Sequence, residues 1–243
     1  MMNDIFSVED VFSMLDSFFD NPAEHWDGFY SEGRANGIPI PFFVDAPDEN
    51  LVEYFGKGIL TSGRALELGC GPGRNATFLT EKGYSVDAVD ISQEAIAWAR
   101  QRARAKNLNI NFICDSIFNV AIEPSSYDLV YDSGCLHHFP PHRRITYVEL
   151  LKKALKPNGF FALTCFVPGR ADETGGENIT DRELYERRNM RGGIGYTEEK
   201  LVKIFAGDFD IVEFRRMKDV AQSTGLFGKS FLWAAIFRRK QIA

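Results

Sequence analysis

From residue 64 onward the chain alternates short apolar runs with amphipathic stretches. Ala65-Leu66-Glu67-Leu68, Tyr84 to Val89, Ile110 to Cys114, Tyr127 to Asp132, Phe160 to Phe166, Phe209 to Arg216 and Ser230 to Arg238 read as seven strands. Helices are expected over Arg74 to Lys82, from Ser92 to about Lys106, over Pro141 to Leu155, and after a capping Thr197. Such alternation predicts an α/β fold: a doubly wound, mostly parallel sheet with helices on both faces and ligands at the carboxyl ends of its strands.

Before residue 61 the pattern differs. Ser7 to Phe19 reads as an amphipathic helix, His25-Trp26-Asp27-Gly28-Phe29-Tyr30 as an aromatic, turn-rich stretch, and Pro47 to Phe55 as a second short helix. Two prolines should keep Ile38-Pro39-Ile40-Pro41-Phe42-Phe43 extended. Residues 1–60 are therefore expected to form a helical, aromatic cap on a core of residues 61–243. Lys156-Pro157-Asn158-Gly159 reads as a turn, and the polar run 169–195 as an insertion loop that acts as a lid.

The 243 residues carry a formal net charge of −6, which offers no general attraction to a phosphate backbone, so nucleic acid is not an expected partner. Arg100, Arg102, Arg104 and Lys106 read as one solvated helix face. The acidic N-terminus has no basic n-region, and no apolar run approaches the roughly 18 residues of a membrane span. Cysteines 70, 114, 135 and 165 lack framework spacing. A cytoplasmic chain without a membrane partner is expected. Cys135, His137, His138 and His142 cluster in sequence, yet no second group has metal spacing, so no metal is expected.

The richest stretch is Arg64 to Asp90, RALELGCGPGRNATFLTEKGYSVDAVD. A strand breaks into the turn Gly69-Cys70-Gly71-Pro72-Gly73, a helix follows, and a second strand ends in Asp90. A glycine turn lets backbone approach a ligand, and an acid at that strand tip can accept both ribose hydroxyls. The third glycine comes one place too early for the dinucleotide pattern, whose last glycine position holds Arg74. Glu67 precedes the turn, where a carboxylate disfavours a phosphate and favours a cation such as a sulfonium bearing an ammonium group.

This run closely resembles motif I and the following acidic position of the class I S-adenosylmethionine-dependent methyltransferases, and the resemblance extends over roughly Arg64 to Arg238. It implies that Glu67, Gly69, Cys70, Gly71 and Gly73, helped by Asn75, hold the methionine end. Asp90 would hold the ribose, Ile91 would pack on the adenine, Asp115, Ser116 and Ile117 would meet the adenine edge, and Asp132, at the end of the fourth strand, would also lie at the cofactor. The fourth strand runs out through Asp132-Ser133-Gly134-Cys135-Leu136-His137-His138, without the D/N-P-P-Y pattern that serves amino nitrogens of DNA bases or glutamine. Trp26, Tyr30, Pro41-Phe42-Phe43 and Thr174-Gly175-Gly176 resemble the thiopurine, halide and tellurite-resistance branch, which implies a small-molecule acceptor: a thiol, a halide or chalcogen, or a small hydroxyl. Trp26 and Tyr30 would then cover the cofactor.

A hydroxyl or ammonium nucleophile needs a base with a near-neutral pKa, so His137 and His138 are the candidate catalytic residues, His137 first by motif position. A thiolate or halide needs none, and either ring could simply pack. Cysteines near the strand ends leave an arsenic methyltransferase open. A non-catalytic S-adenosylmethionine-binding protein and a nicotinamide-dependent oxidoreductase are the other readings.

Overall fold

The computed structural model describes residues 4–37, 40–169, 175–190 and 192–241. The expectations for Ile38-Pro39 and Thr174 fall outside them. Seven strands, β1 (Gly63–Leu68), β2 (Tyr84–Asp90), β3 (Asn111–Cys114), β4 (Tyr127–Ser133), β5 (Leu155–Phe166), β6 (Phe209–Arg216) and β7 (Leu232–Arg239), form one sheet in the order β3-β2-β1-β4-β5-β7-β6. The first five strands pair in parallel, and β7 inserts antiparallel between β5 and β6. The strand order reverses between β1 and β4, and an open α/β sheet binds its ligands at such a switch point.

The central strands are buried on both faces. Leu66, Leu68, Val130, Phe161 and Leu163 pack one way, against Tyr147 and Leu151 of a helix over Arg143–Ala154 and Leu201 and Phe205 of another over Glu198–Phe205. Ala65, Ala88, Leu129 and Ala162 pack the other way. Their neighbours are the helices Glu49–Gly56, Arg74–Glu81 and Gln93–Ala105. Alternation along each strand separates the two sets.

Eight α-helices lie among the described residues: α1 (Val8–Asp16), α2 (Pro22–Ala35), α3 (Glu49–Gly56), α4 (Arg74–Glu81), α5 (Gln93–Ala105), α6 (Arg143–Ala154), α7 (Asp181–Arg187) and α8 (Glu198–Phe205). Four sequence expectations are corrected. The aromatic stretch His25 to Tyr30 is not turn-rich but lies within α2, started by Asn21, which accepts from Ala23 N, and by Pro22 in the first turn. The insertion is not only loop: Thr180 and Glu183 form a capping box that starts α7. Lys156 to Gly159 is not a turn ahead of the strand but a looped-out bulge within β5, between the pairs Tyr127–Leu155 and Leu129–Phe160, with Asn158 at φ +63°. The first helix ends at Asp16 rather than Phe19, because Ser17, Phe18 and Phe19 turn back onto Ser13, Leu15 and Asp16.

The basic face of α5 is also not simply solvated. Arg102 donates to Phe43 O and Pro72 O, while Arg34 and Arg102 both approach the Trp98 ring, at 5.4 and 4.7 Å. These contacts hold the N-terminal segment against the core. Asp27 of α2 adds to them by accepting from Ser92 Oγ at 2.6 Å. No helix among the described residues is long and apolar enough to cross a membrane.

Candidate active site

The glycine turn follows β1 because each of its glycines adopts a left-handed backbone, with φ of +65° at Gly69, +51° at Gly71 and +76° at Gly73. Gly73 occupies the N-cap position of α4 without a side-chain cap, so the first-turn N–H groups of α4 are not sealed by a capping side chain. Gly73 also lets α5 and β3 close in, since a Cβ there would stand 2.9 Å from that of Ala99 and 3.3 Å from the Phe112 ring.

Asp90, at the tip of β2, is tied into this turn. Its carboxylate accepts from Gly71 N at 2.8 Å and from Ser92 N at 2.9 Å, and burial raises its pKa to about 6 against those donors. Glu67 lies 1% exposed one strand away; burial raises its pKa to about 8, and its Oε2 has no hydrogen-bond partner. The Ala76 N–H in the first turn of α4 supports the Glu67 carboxyl, and the remaining buried orphan acceptor suits a ligand that brings a cationic donor. Cys70 is buried and its Sγ faces Gly71 O at 3.6 Å. Ile91, half-buried, follows Asp90 at the strand end.

Tyr30 covers the turn from α2, and burial raises its phenol pKa well above the usual value. Trp26, one helical turn earlier, meets the His138 ring edge-on at 4.6 Å. The two cap aromatics thus face different neighbours. Asp115, after β3, is exposed and accepts from Ser116 N at 2.7 Å and Asn119 Nδ2 at 3.2 Å, closing its own turn, while Ile117 is buried beneath it.

Two residues expected at the cofactor are spent elsewhere. Asn75 holds Asp48: its Nδ2 donates to the carboxylate at 3.1 Å and its Oδ1 accepts Asp48 N at 3.0 Å. Asp132 turns into the core, where it accepts from Cys135 N, Leu136 N and, at 2.6 Å, the Tyr147 hydroxyl. These bonds aim the loop after β4 and oppose the burial that raises the Asp132 pKa to about 6.

Sequence reading missed Asp48. It is fully buried, pairs with Arg74, and accepts from the Tyr131 and Ser133 hydroxyls at 2.5 and 2.6 Å. Its partners lie far along the chain, so no local pattern announces it.

The two histidines have unlike surroundings. His137 Nδ1 accepts from Phe166 N at 3.2 Å, and its ring stacks on Phe166 at 3.7 Å. Its neutral form therefore carries the proton on Nε2, and its lone pair is occupied. Burial holds its pKa well below the usual imidazole value. His138 is half-buried, its pKa lowered to about 3 by burial and then by His25, and its ring has no hydrogen bond among the described residues. The acceptor nitrogen of His137 is thus occupied, whereas that of His138 is not. Cys135 Sγ packs on Gly69, and no three His, Cys, Asp or Glu residues among those described could hold a metal ion.

Residues 65–159 match the family described as methyltransferase domain. A ubiquinone biosynthesis O-methyltransferase of Idiomarina loihiensis is 33% identical over 127 residues, 52% of this chain and 47% of that protein. The chain thus spans about half the length of this relative. Among solved structures, one described under the conversion of a disulfide bond into a thioacetal group during echinomycin biosynthesis superimposes with a TM-score of 0.71, at 22% identity, over 92% of this chain and 93% of the other. The Burkholderia thailandensis 1,6-didemethyltoxoflavin-N1-methyltransferase, bound to its substrate and S-adenosylhomocysteine, gives 0.64 at 19% identity over 98% and 93%. The sheet shares the fold of these solved structures, and the methyltransferase-domain match covers residues 65–159 of the chain.

Proposed function

We propose that the protein is an S-adenosylmethionine-dependent methyltransferase acting on a small molecule. The observation that carries this reading is the coupling of Asp90 to the glycine turn, a carboxylate pinned by Gly71 N and Ser92 N at a strand tip beside an uncapped helix start. Glu67, Gly69, Cys70, Gly71 and Gly73 would hold the methionine end, with the orphan Glu67 oxygen receiving the ammonium. Asp90 would take the ribose, Ile91 would pack on the adenine, and Asp115, Ser116 and Ile117 would form its edge contacts. Tyr30 would cover the cofactor, with Trp26 on the acceptor side. Asn75 and Asp132 support the site from behind.

When bound, the cofactor supplies an electrophilic methyl group on a sulfonium. The protein's part is to align the acceptor, exclude water and, for a protonated acceptor, receive a proton. His138 is the proton acceptor in this reading by position, because its ring is unpartnered and faces Trp26. Burial and His25 hold its pKa at about 3 in the unliganded protein, below the near-neutral value the sequence reading expected of a base. His137 is a positioning residue: it ties the loop after β4 to Phe166 and, through its carbonyl, to Ile194 N at 2.8 Å. The insertion helix α7 and α1 would close the acceptor side as a lid, supported by the Phe19–Tyr185 ring contact and by Asp16 and Tyr185 meeting on His142.

Incubation with methyl-labelled S-adenosylmethionine and a deproteinised extract of small molecules tests the assignment. Label should enter a small product and be lost in Asp90→Ala. Label appearing only in protein or nucleic acid would contradict the acceptor class.

A further inference from the structure

Six rings from five chain segments form a continuous row beside the transfer site. Phe42 stacks near Phe29 at 5.9 Å, Phe29 meets Trp26 at 5.3 Å, and Trp26 meets His138 at 4.6 Å. The row continues from His138 to Phe166 at 6.2 Å and from Phe166 to Phe231 at 6.1 Å. The core rings Phe161, Phe205, Phe209 and Phe237 are at most 1% exposed, whereas all six of these remain half-buried. None of the six takes part in a cation–π contact or ion pair among the described residues. Arg74, the buried guanidinium at the end of β4, is committed to Asp48, Ala46 O and Ser133 Oγ.

From this row we infer that the methyl acceptor is a flat, electrically neutral aromatic or heteroaromatic ring, seated among Trp26, Phe29, Phe42, Phe166 and Phe231 with an O–H or N–H directed at His138. The inference rests on the proposed cofactor site and names the substrate class for it. A neutral ring gains apolar burial and ring–ring contact beside this row, whereas a charged acceptor would be desolvated with no opposite charge on the described side chains of the row to meet it.

The proton inventory agrees. The acceptor oxygen or nitrogen bonds to the methyl carbon as the carbon–sulfur bond breaks, the sulfur becomes a neutral thioether, and the acceptor proton passes to the vacant ring nitrogen of His138. One positive charge leaves sulfur and one appears on imidazole, so the net charge of the site is unchanged. A phenol or heteroaromatic N–H gives up its proton more readily to such a ring than an aliphatic alcohol does.

Calorimetric titration of 2-naphthol and cyclohexanol into the full chain saturated with S-adenosylhomocysteine tests the slot. Naphthol should bind at least about tenfold more tightly, and lose about tenfold in Phe42→Leu and in Phe231→Leu while S-adenosylhomocysteine affinity holds. Naphthol binding no tighter than cyclohexanol, or undiminished in both variants, overturns the inference. So does turnover of S-adenosylmethionine with iodide or 2-mercaptoethanol. Failure of S-adenosylhomocysteine itself to bind would instead remove the cofactor reading beneath it.

Discussion

The phenol oxygen of Tyr30 stands 2.8 Å from the point that a Cβ on Gly71 would occupy. Cap helix α2 and the glycine turn are thus fitted to within one methyl group. Gly71→Ala should cost about 1–2 kcal/mol through its left-handed backbone alone, with Tyr30 displaced in addition. S-adenosylhomocysteine affinity measured by calorimetry should fall by at least about tenfold; unchanged affinity would show that the turn does not need this approach.

Asp48 and Arg74 are a buried charge pair whose partners come from before α3 and from the start of α4. Asp48→Ala leaves the guanidinium uncompensated and also strips Tyr131, Ser133 and Asn75 of their acceptor. Urea unfolding should register a loss of about 3–5 kcal/mol. A loss under about 1 kcal/mol would mean that water replaces the carboxylate at little cost.

Much of the sheet was legible because β1, β2 and β4 are apolar runs closed by Gly69, Asp90 and Ser133, and because Ser92 and Thr197 announce their helices. Helix α2 was hidden by rings on several of its sides, although Asn21 and Pro22 marked its start. The seven residues of α7 are too few for a periodic signal, and only Thr180 and Glu183 gave notice. Asp90 was readable at its strand tip. The spending of Asn75 on Asp48, 27 residues away, and of Asp132 on Tyr147, 15 residues away, was not, because those partners meet only in the fold.

Stability should depend on pH in an unusual direction. Burial raises the folded pKa values of Glu67, Asp90 and Asp132 to about 8, 6 and 6. A carboxyl whose folded pKa exceeds its unfolded value stabilises the fold at low pH and loses that contribution as pH rises through the folded pKa. Glu53, lowered to about 2 by Lys218 and Lys57, acts in the opposite sense only below its ordinary pKa of 4.5. His137 and His138, held neutral by burial, offset part of the carboxyl effect below about pH 6.5. The unliganded protein should therefore melt higher at about pH 5.5 than at about pH 8, by roughly 2 kcal/mol or 4–8 °C, and Glu67→Gln should reduce the difference. Equal melting temperatures would show that these carboxyls are not buried as described.

His138 and His137 should differ in an isotope-edited NMR titration of the imidazoles. Both should stay neutral from about pH 5 to 8, with His137 fixed as the Nε2–H tautomer by its bond from Phe166 N. Once an acceptor is found, His138→Ala should lower kcat by roughly 100-fold at unchanged cofactor affinity. An Nδ1–H tautomer at His137 would break the assignment.

The most direct measurement is calorimetric titration of the wild type and Asp90→Ala with S-adenosylmethionine, S-adenosylhomocysteine and NADH. Binding of both sulfur nucleosides to the wild type, collapse of that binding in Asp90→Ala and no heat with NADH are the predicted results. Binding of NADH with neither sulfur nucleoside would contradict the account and make the site a nicotinamide one.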